Sequence, residues 1–117
     1  MNRQDRAQLQ QLIRVLDKLK GSNPDMPLQH AVAFLHIAVQ PGMNITDLSE
    51  VSQTTLQSAS RHVQALGKLG KEKKMLVAAG FGRDGRTKAL LLTDGGRSLA
   101  NEVVASLKPL LNANVRA

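Results

Sequence analysis

The sequence predicts a small, mainly helical α+β domain in which a single β-hairpin interrupts a run of helices. Three observations carry this expectation. Apolar residues recur at helical spacing in several segments, two short apolar runs of strand length flank a glycine-rich basic stretch, and cap and stop residues separate the segments. The 117 residues suit one domain spanning 1–117. Phe34 and Phe81 are the only large aromatics, so the core is expected from Leu, Val, Ile, Ala and Met. A core of this size gains from burial across a dimer interface.

The first helix is expected over about 4–20, with Leu9, Leu12, Ile13, Leu16 and Leu19 on one stripe. Gly21-Ser22-Asn23-Pro24 stops it, because glycine accepts a left-handed cap and proline cannot continue a helix. A second helix is expected from Pro27 to about Val39, with Val32, Leu35 and Val39 as its apolar side beside Leu28, Ala31 and Ala38. Pro41-Gly42 ends it. Thr46 reads as the N-cap of a short third helix, with Asp47 and Glu50 near its positive end, stopping around Val51 or Ser52.

Thr54-Thr55 offers the next cap, ahead of Leu56, Ala59, Val63 and Leu66 at helical spacing. This fourth helix is expected to run to about Leu69. Met75–Ala79 and Lys88–Leu92 read as two strands, and Gly80–Thr87 between them as a basic hairpin tip. Thr93-Asp94 caps a last helix from about Gly95 to Leu107, with Leu99, Val103 and Leu107 along one side and Pro109 near its end. Three helices followed by a two-stranded wing define a winged helix-turn-helix. The helix-turn-helix is placed at about 45–69 and the wing at about 75–93. Helices at about 4–20 and 95–110 are expected to serve dimerisation, since Leu9, Leu12, Leu16 and Leu19 recur near heptad spacing and Leu99, Val103, Leu107 and Leu110 are placed to meet them. Packing of the same stripes within one chain is the alternative, and the two are compatible.

Charge narrows the function. Lys and Arg number 16 against 9 Asp and Glu, a net +7 with a pI near 10.4. Between Arg61 and Arg97 nine basic residues face only Glu72, Asp84 and Asp94, which places +6 of that +7 in one segment. Charge so concentrated suits a phosphate-bearing partner better than general solubility does. The absence of cysteine excludes disulfides, thiolate metal sites and thiol redox sensing. No stretch reaches the roughly 20 apolar residues of a membrane span. The first residues lack the apolar run of a signal peptide, so a cytoplasmic location is expected.

No Ser-His-acid grouping, phosphate loop or paired carboxylate points to an enzyme, and no cofactor or metal site is expected. His30 and His36 do not share a helix face. His62 reads first as a packed or half-exposed histidine, with DNA contact or pH sensing as the weaker reading.

In a helix-turn-helix the second helix enters the major groove and offers side chains to base edges. Within Ile45–Leu66, Leu48 is expected to pack inside the unit, and the small Ser49 and Ala59 to let its helices approach closely. The outward side then presents Thr55, Gln57, Ser58, Ser60, Arg61 and Gln64, all able to hydrogen-bond and none acidic. Gln suits adenine and Arg suits guanine, each pair discriminating by roughly 1–3 kcal/mol. Lys71, Lys73, Lys74, Arg83, Arg86 and Lys88 are expected to attract phosphates, with Arg83 and Arg86 on a thin glycine-flanked tip fit for a minor groove.

At these residues the chain resembles the MarR family of transcriptional regulators. Ile45-Thr46-Asp47-Leu48-Ser49 resembles the opening of that family's helix-turn-helix, and Ser60–Leu66 the end of its recognition helix. Arg83-Asp84-Gly85-Arg86-Thr87, the strand that follows and Leu92-Thr93-Asp94-Gly95-Gly96-Arg97 look like its wing, an Asp-x-Arg pattern ahead of a strand, Leu-Thr and glycine. The resemblance covers about residues 28–104. It implies a homodimer held by first and last helices, recognition helices in successive major grooves, and Arg86 as the wing arginine. It implies Asp84 as a charge partner orienting either Arg86 or Arg61. Many such proteins are repressors released by small ligands, often phenolic anions, so an effector pocket between the dimerisation and DNA-binding parts is a further implication.

The chain departs from the family pattern in five places. Gln53 stands where the turn glycine is usual. Ser52 and His62 stand where apolar residues are common. The join carrying Lys71-Glu72-Lys73-Lys74 is several residues longer, as in some virus-encoded proteins similar to the family. The final segment is short. The resulting expectation is a dimeric reader of double-stranded DNA sequence. A non-specific nucleic-acid binder and a protein-interaction module acting on the transcription machinery are the alternatives. Strand coating fits poorly, because stacking platforms need aromatic residues.

Overall fold

A computed structural model describes residues 1–67, 76–81 and 88–116, with side chains described outside 79–81 and 108–116. Its elements run α1 (Arg3–Ser22), α2 (Leu28–Val39), α3 (Ile45–Val51), α4 (Leu56–Leu66), β1 (Val77–Phe81), β2 (Lys88–Leu92) and α5 (Asp94–Arg116). The mainly helical α+β architecture with one two-stranded antiparallel hairpin is the one expected.

The faces that α1 and α2 bury differ from those read in the sequence. On α1 the buried residues are Val15 and Leu19, and this side lies along α5. Leu9, Leu12, Ile13 and Leu16 remain 42–50% exposed. On α2 the buried residues are Ala31, Ala33, Phe34 and Ile37, whereas Leu28 and Val39 are 70% and 84% exposed and Val32 is 40% exposed. Both helices carry more apolar residues than one face holds, so periodicity alone does not select the face that packs.

Local caps correct two boundaries. The N-cap of α3 is Asn44, not Thr46: Asn44 has extended backbone and forms a capping box with Asp47. The cap of α4 is Thr55, as expected, its Oγ1 accepting from the Ser58 amide at 3.0 Å. That helix stops at Leu66 rather than Leu69, because the chain returns there: the Leu76 amide donates to the Leu66 carbonyl at 2.8 Å.

β1 lies two residues later than read, so Gly80 and Phe81 belong to the strand rather than to the tip. Its register runs from Val77 opposite Leu92 to Phe81 opposite Lys88. The other edge of β2 is also bonded. Leu90 donates to the Met43 carbonyl at 2.8 Å and accepts from the Gly42 amide at 2.9 Å. The turn before α3 thus acts as a third edge for the hairpin and ties the wing to the helix-turn-helix.

At the start of α5 the Gly96 amide donates to Thr93 Oγ1 at 3.0 Å, the expected cap. The helix then continues past Pro109 to Arg116, well beyond the expected end at Leu107. An interior proline costs about 3 kcal/mol, and α5 is long and supported by its contact with α1. The core gathers Phe34 and Ile37 from α2, Leu48 from α3, Val77 from β1 and Leu90 from β2, all fully buried. It sits directly behind α3 and α4.

Candidate nucleic-acid interface

The candidate interface is built on the junction of α3 and α4. Leu48 is wholly buried, and Ala59 and Ser49 are 0% and 9% exposed where the two helices pack. The Ser49 hydroxyl donates to the Thr46 carbonyl, so its burial leaves it bonded. Between the helices the Gln53 amide donates to Glu50 and the Thr54 amide to Ser49. Gln53 has φ +54°, the left-handed conformation that the usual turn glycine would adopt without strain. Beside it, Ser52 Oγ is buried and has no hydrogen-bond partner among the described residues.

This junction turns one face of α4 outward. Gln57, Arg61 and Gln64 fall on successive turns and are all exposed, while Ala59, His62 and Leu66 face the core. Ser60 is half-buried at the edge of the outer face. Thr55 and Ser58 serve the cap itself, since the Thr55 hydroxyl also donates to Ser58 Oγ at 2.9 Å. Lys88 is exposed where β2 begins. Lys71, Lys73 and Lys74 of the basic join, and Arg83, Asp84 and Arg86 of the wing tip, lie outside the described residues.

Two features were missed in the sequence. Leu56, at helical spacing with Ala59, Val63 and Leu66, is 54% exposed at the first position of α4, beside the polar residues of the outer face. His30 and His62 meet between α2 and α4, with ring centroids 5.0 Å apart. Burial, and after it the charge of His62, holds the His30 imidazole below its ordinary pKa of 6.5. Arg97, counted with the basic segment, is ion-paired to Asp94 and donates to the Leu92 carbonyl at 3.0 Å. It is therefore a poorer phosphate contact than the charge count suggests.

Among the described residues no group of three or more His, Asp or Glu is placed to hold a metal, and no helix is long and apolar enough to cross a membrane. A mainly apolar groove of about 350 Å³ lies between the end of α2, β2 and α5, lined by Ala38, Pro41, Leu91, Ala100 and Asn101 among others.

No protein-family model matches the chain, and no curated protein sequence does. Solved structures do. A MarR-like transcriptional regulator from Thermotoga maritima superimposes with a TM-score of 0.70 at 22% identity, over 99% of this chain and 82% of its own. The chain has the MarR-like winged-helix fold. FabT of Streptococcus pneumoniae, solved in complex with DNA, aligns at a TM-score of 0.68 and 17% identity over 95% of this chain and 77% of its own. MepR of S. aureus, solved as a mutant bound to an oligodeoxyribonucleotide, aligns at 0.68 and 17% identity over 96% and 78%. In the MarR-like fold of this chain, α3 and α4 form the helix-turn-helix, and β1 and β2 form the wing.

Proposed function

We propose that this chain is a non-catalytic, sequence-specific reader of double-stranded DNA that regulates transcription in the cytoplasm as a homodimer. The observation that carries the reading is the outward row Gln57, Arg61 and Gln64 on a helix held rigidly by a buried helix-turn-helix core. These side chains match the donor and acceptor patterns of adenine and guanine in the major groove. Leu56 at the tip of the same helix suits contact with a thymine methyl group. Thr55, Ser58 and Ser60 shape and flank this surface. Lys71, Lys73, Lys74, Arg83, Arg86 and Lys88 supply phosphate attraction, with Asp84 orienting an arginine. That FabT and MepR, whose fold this chain shares, were solved bound to DNA supports DNA as the partner.

The dimer rests on α1. Four apolar side chains on one helix, Leu9, Leu12, Ile13 and Leu16, stand 42–50% exposed, and Val104 on the neighbouring α5 is 49% exposed. A second copy that covers them removes this surface from water.

Selection of random duplex DNA on the purified protein tests the reading. An enriched inverted repeat with half-sites about one helical turn apart is the expected product. Arg61→Ala should weaken the selected duplex by roughly tenfold or more and random duplex much less. Lys73→Ala combined with Lys74→Ala should weaken both alike and flatten the salt dependence. Equal losses on both duplexes for Arg61→Ala would remove its base-reading role.

A further inference from the structure

The contact between α2 and α4 passes through two histidines. His30 lies in the first turn of α2 and His62 in the middle of α4, their rings tilted by 57° at a centroid separation of 5.0 Å. His62 shares the inner face of α4 with Ala59 and Leu66 and is only 8% exposed, and His30 is half-buried. The charges on the surrounding elements are occupied or turned away. Asp47 on α3 accepts the Asn44 amide in the capping box, and Asp94 on α5 is paired with Arg97. Glu50 on α3, Arg61 on α4, Lys88 on β2 and Glu102 on α5 are exposed to solvent, and His36 on α2 is half-buried. The charge that bears on His30 is that of His62.

We propose that the His30–His62 pair is a proton-operated switch on α4: neutral, it seats the helix against α2 for DNA reading, and protonated, it drives the two helices apart. The proposal rests on the reading of α4 as the DNA-contacting helix. Neutral imidazoles fit the buried face of α4 that His62 shares with Ala59 and Leu66. Protonation of His30 places a cation in a partly desolvated site, with the His62 ring centroid only 5.0 Å away. Packed interiors relieve such a conflict by shifting one element against another rather than by gradual compression.

The sign follows from the lowered pKa of His30. Above about pH 6.5 both the folded and the unfolded chain hold a neutral imidazole, and the contact has its full stability. As pH falls, the unfolded chain takes the proton first, so stability declines from about pH 6.5 down to the folded pKa and then levels. Plain electrostatics acts in the opposite direction, because added positive charge tightens binding to any DNA. Loss of specific affinity on acidification is therefore diagnostic.

The test uses the full chain. Imidazole titrations and backbone amide shifts are followed by NMR in wild type, His30→Gln and His62→Gln. Affinity for the selected duplex and for random duplex is then measured at about pH 7.5 and about pH 5.5 at fixed salt. Wild type is expected to lose roughly tenfold affinity for the selected duplex and none for random duplex, and His30→Gln to lose about twofold or less. In wild type the α4 amides should shift with the His30 titration, and replacing His62 should raise the His30 pKa. Independent titration of the two histidines, or an equal pH-dependent loss in His30→Gln, overturns the switch. Should the chain bind no duplex, the proposed function fails on its own, and the coupled titration with α4 amide shifts still decides the pair. Should His62→Gln fail to fold, the wild-type and His30→Gln titrations decide it.

Discussion

Asn44 and Asp47 cap the first helix of the helix-turn-helix for each other: the Asp47 amide donates to Asn44 Oδ1 at 2.7 Å, and the Asn44 amide donates to Asp47 Oδ2 at 3.2 Å. Both groups are part-buried, so water substitutes for them poorly. Asn44→Ala should cost about 1 kcal/mol, read as a lower urea midpoint at unchanged slope. Thr46→Ala, at the exposed position first read as the cap, should change stability by less than about 0.5 kcal/mol. A larger loss at Thr46 than at Asn44 would reverse this assignment.

Gln53 occupies a left-handed conformation that costs a residue with a side chain about 1–2 kcal/mol. Glycine there avoids that cost but loses about 0.5–1 kcal/mol through the greater freedom of its unfolded chain. Gln53→Gly should therefore stabilise the protein by about 0.5 kcal/mol net, seen as a modest rise in melting temperature. Destabilisation would mean that the glutamine side chain contributes a compensating interaction.

Gly96 meets the backbone of Leu76 closely. A Cβ added to Gly96 would lie 2.2 Å from the Leu76 carbonyl oxygen and 3.1 Å from its carbon. That oxygen also accepts the Thr93 amide, so it has little freedom to retreat. Gly96→Ala should cost about 3 kcal/mol, at the upper end for overpacking. Gly21→Ala is the contrasting change: nothing lies within 4 Å of its Cβ, and Gly21 is in the last turn of α1. It should stabilise by a few tenths to about 1 kcal/mol. Equal effects of the two variants in chemical unfolding would contradict this packing.

Ile13 and Leu12 are each half exposed on α1, Ile13 turned away from the buried pair Val15 and Leu19 and Leu12 at the edge of their face. Ile13→Asp combined with Leu12→Asp should convert a dimer to a monomer in sedimentation equilibrium while helical circular dichroism persists. Affinity for a two-half-site duplex should fall by roughly a hundredfold or more, because two linked half-sites bind with a high effective concentration. A wild-type chain that sediments as a monomer at micromolar concentration would remove the dimer from the proposal.

Much of the helix-turn-helix is legible from neighbouring residues alone. Thr55 caps α4 as read, and Gln57, Arg61 and Gln64 face outward as read, because capping and helical period are set within a turn or two of chain. Lys88–Leu92 is a strand with the boundaries expected, and Thr93 caps the helix that follows. Leu56 shares the spacing of Ala59, Val63 and Leu66, but at the first position of the helix no preceding turn covers it, and it is exposed.

Local sequence, then, set the order of elements, the caps at Thr55 and Thr93, and the polar row presented by α4. Tertiary structure decided which apolar face each helix buries, with Phe34 and Ile37 taking the place that Val32 and Val39 were expected to hold. It also decided that α4 ends at Leu66 where Leu76 returns, that Gly42 and Met43 bond the free edge of β2 at Leu90, and that His30 meets His62. The physical reason is that propensity, period and capping are properties of a few consecutive residues. Burial depends on partners distant in the chain, and a helix with two apolar sides does not specify which of them another element will cover.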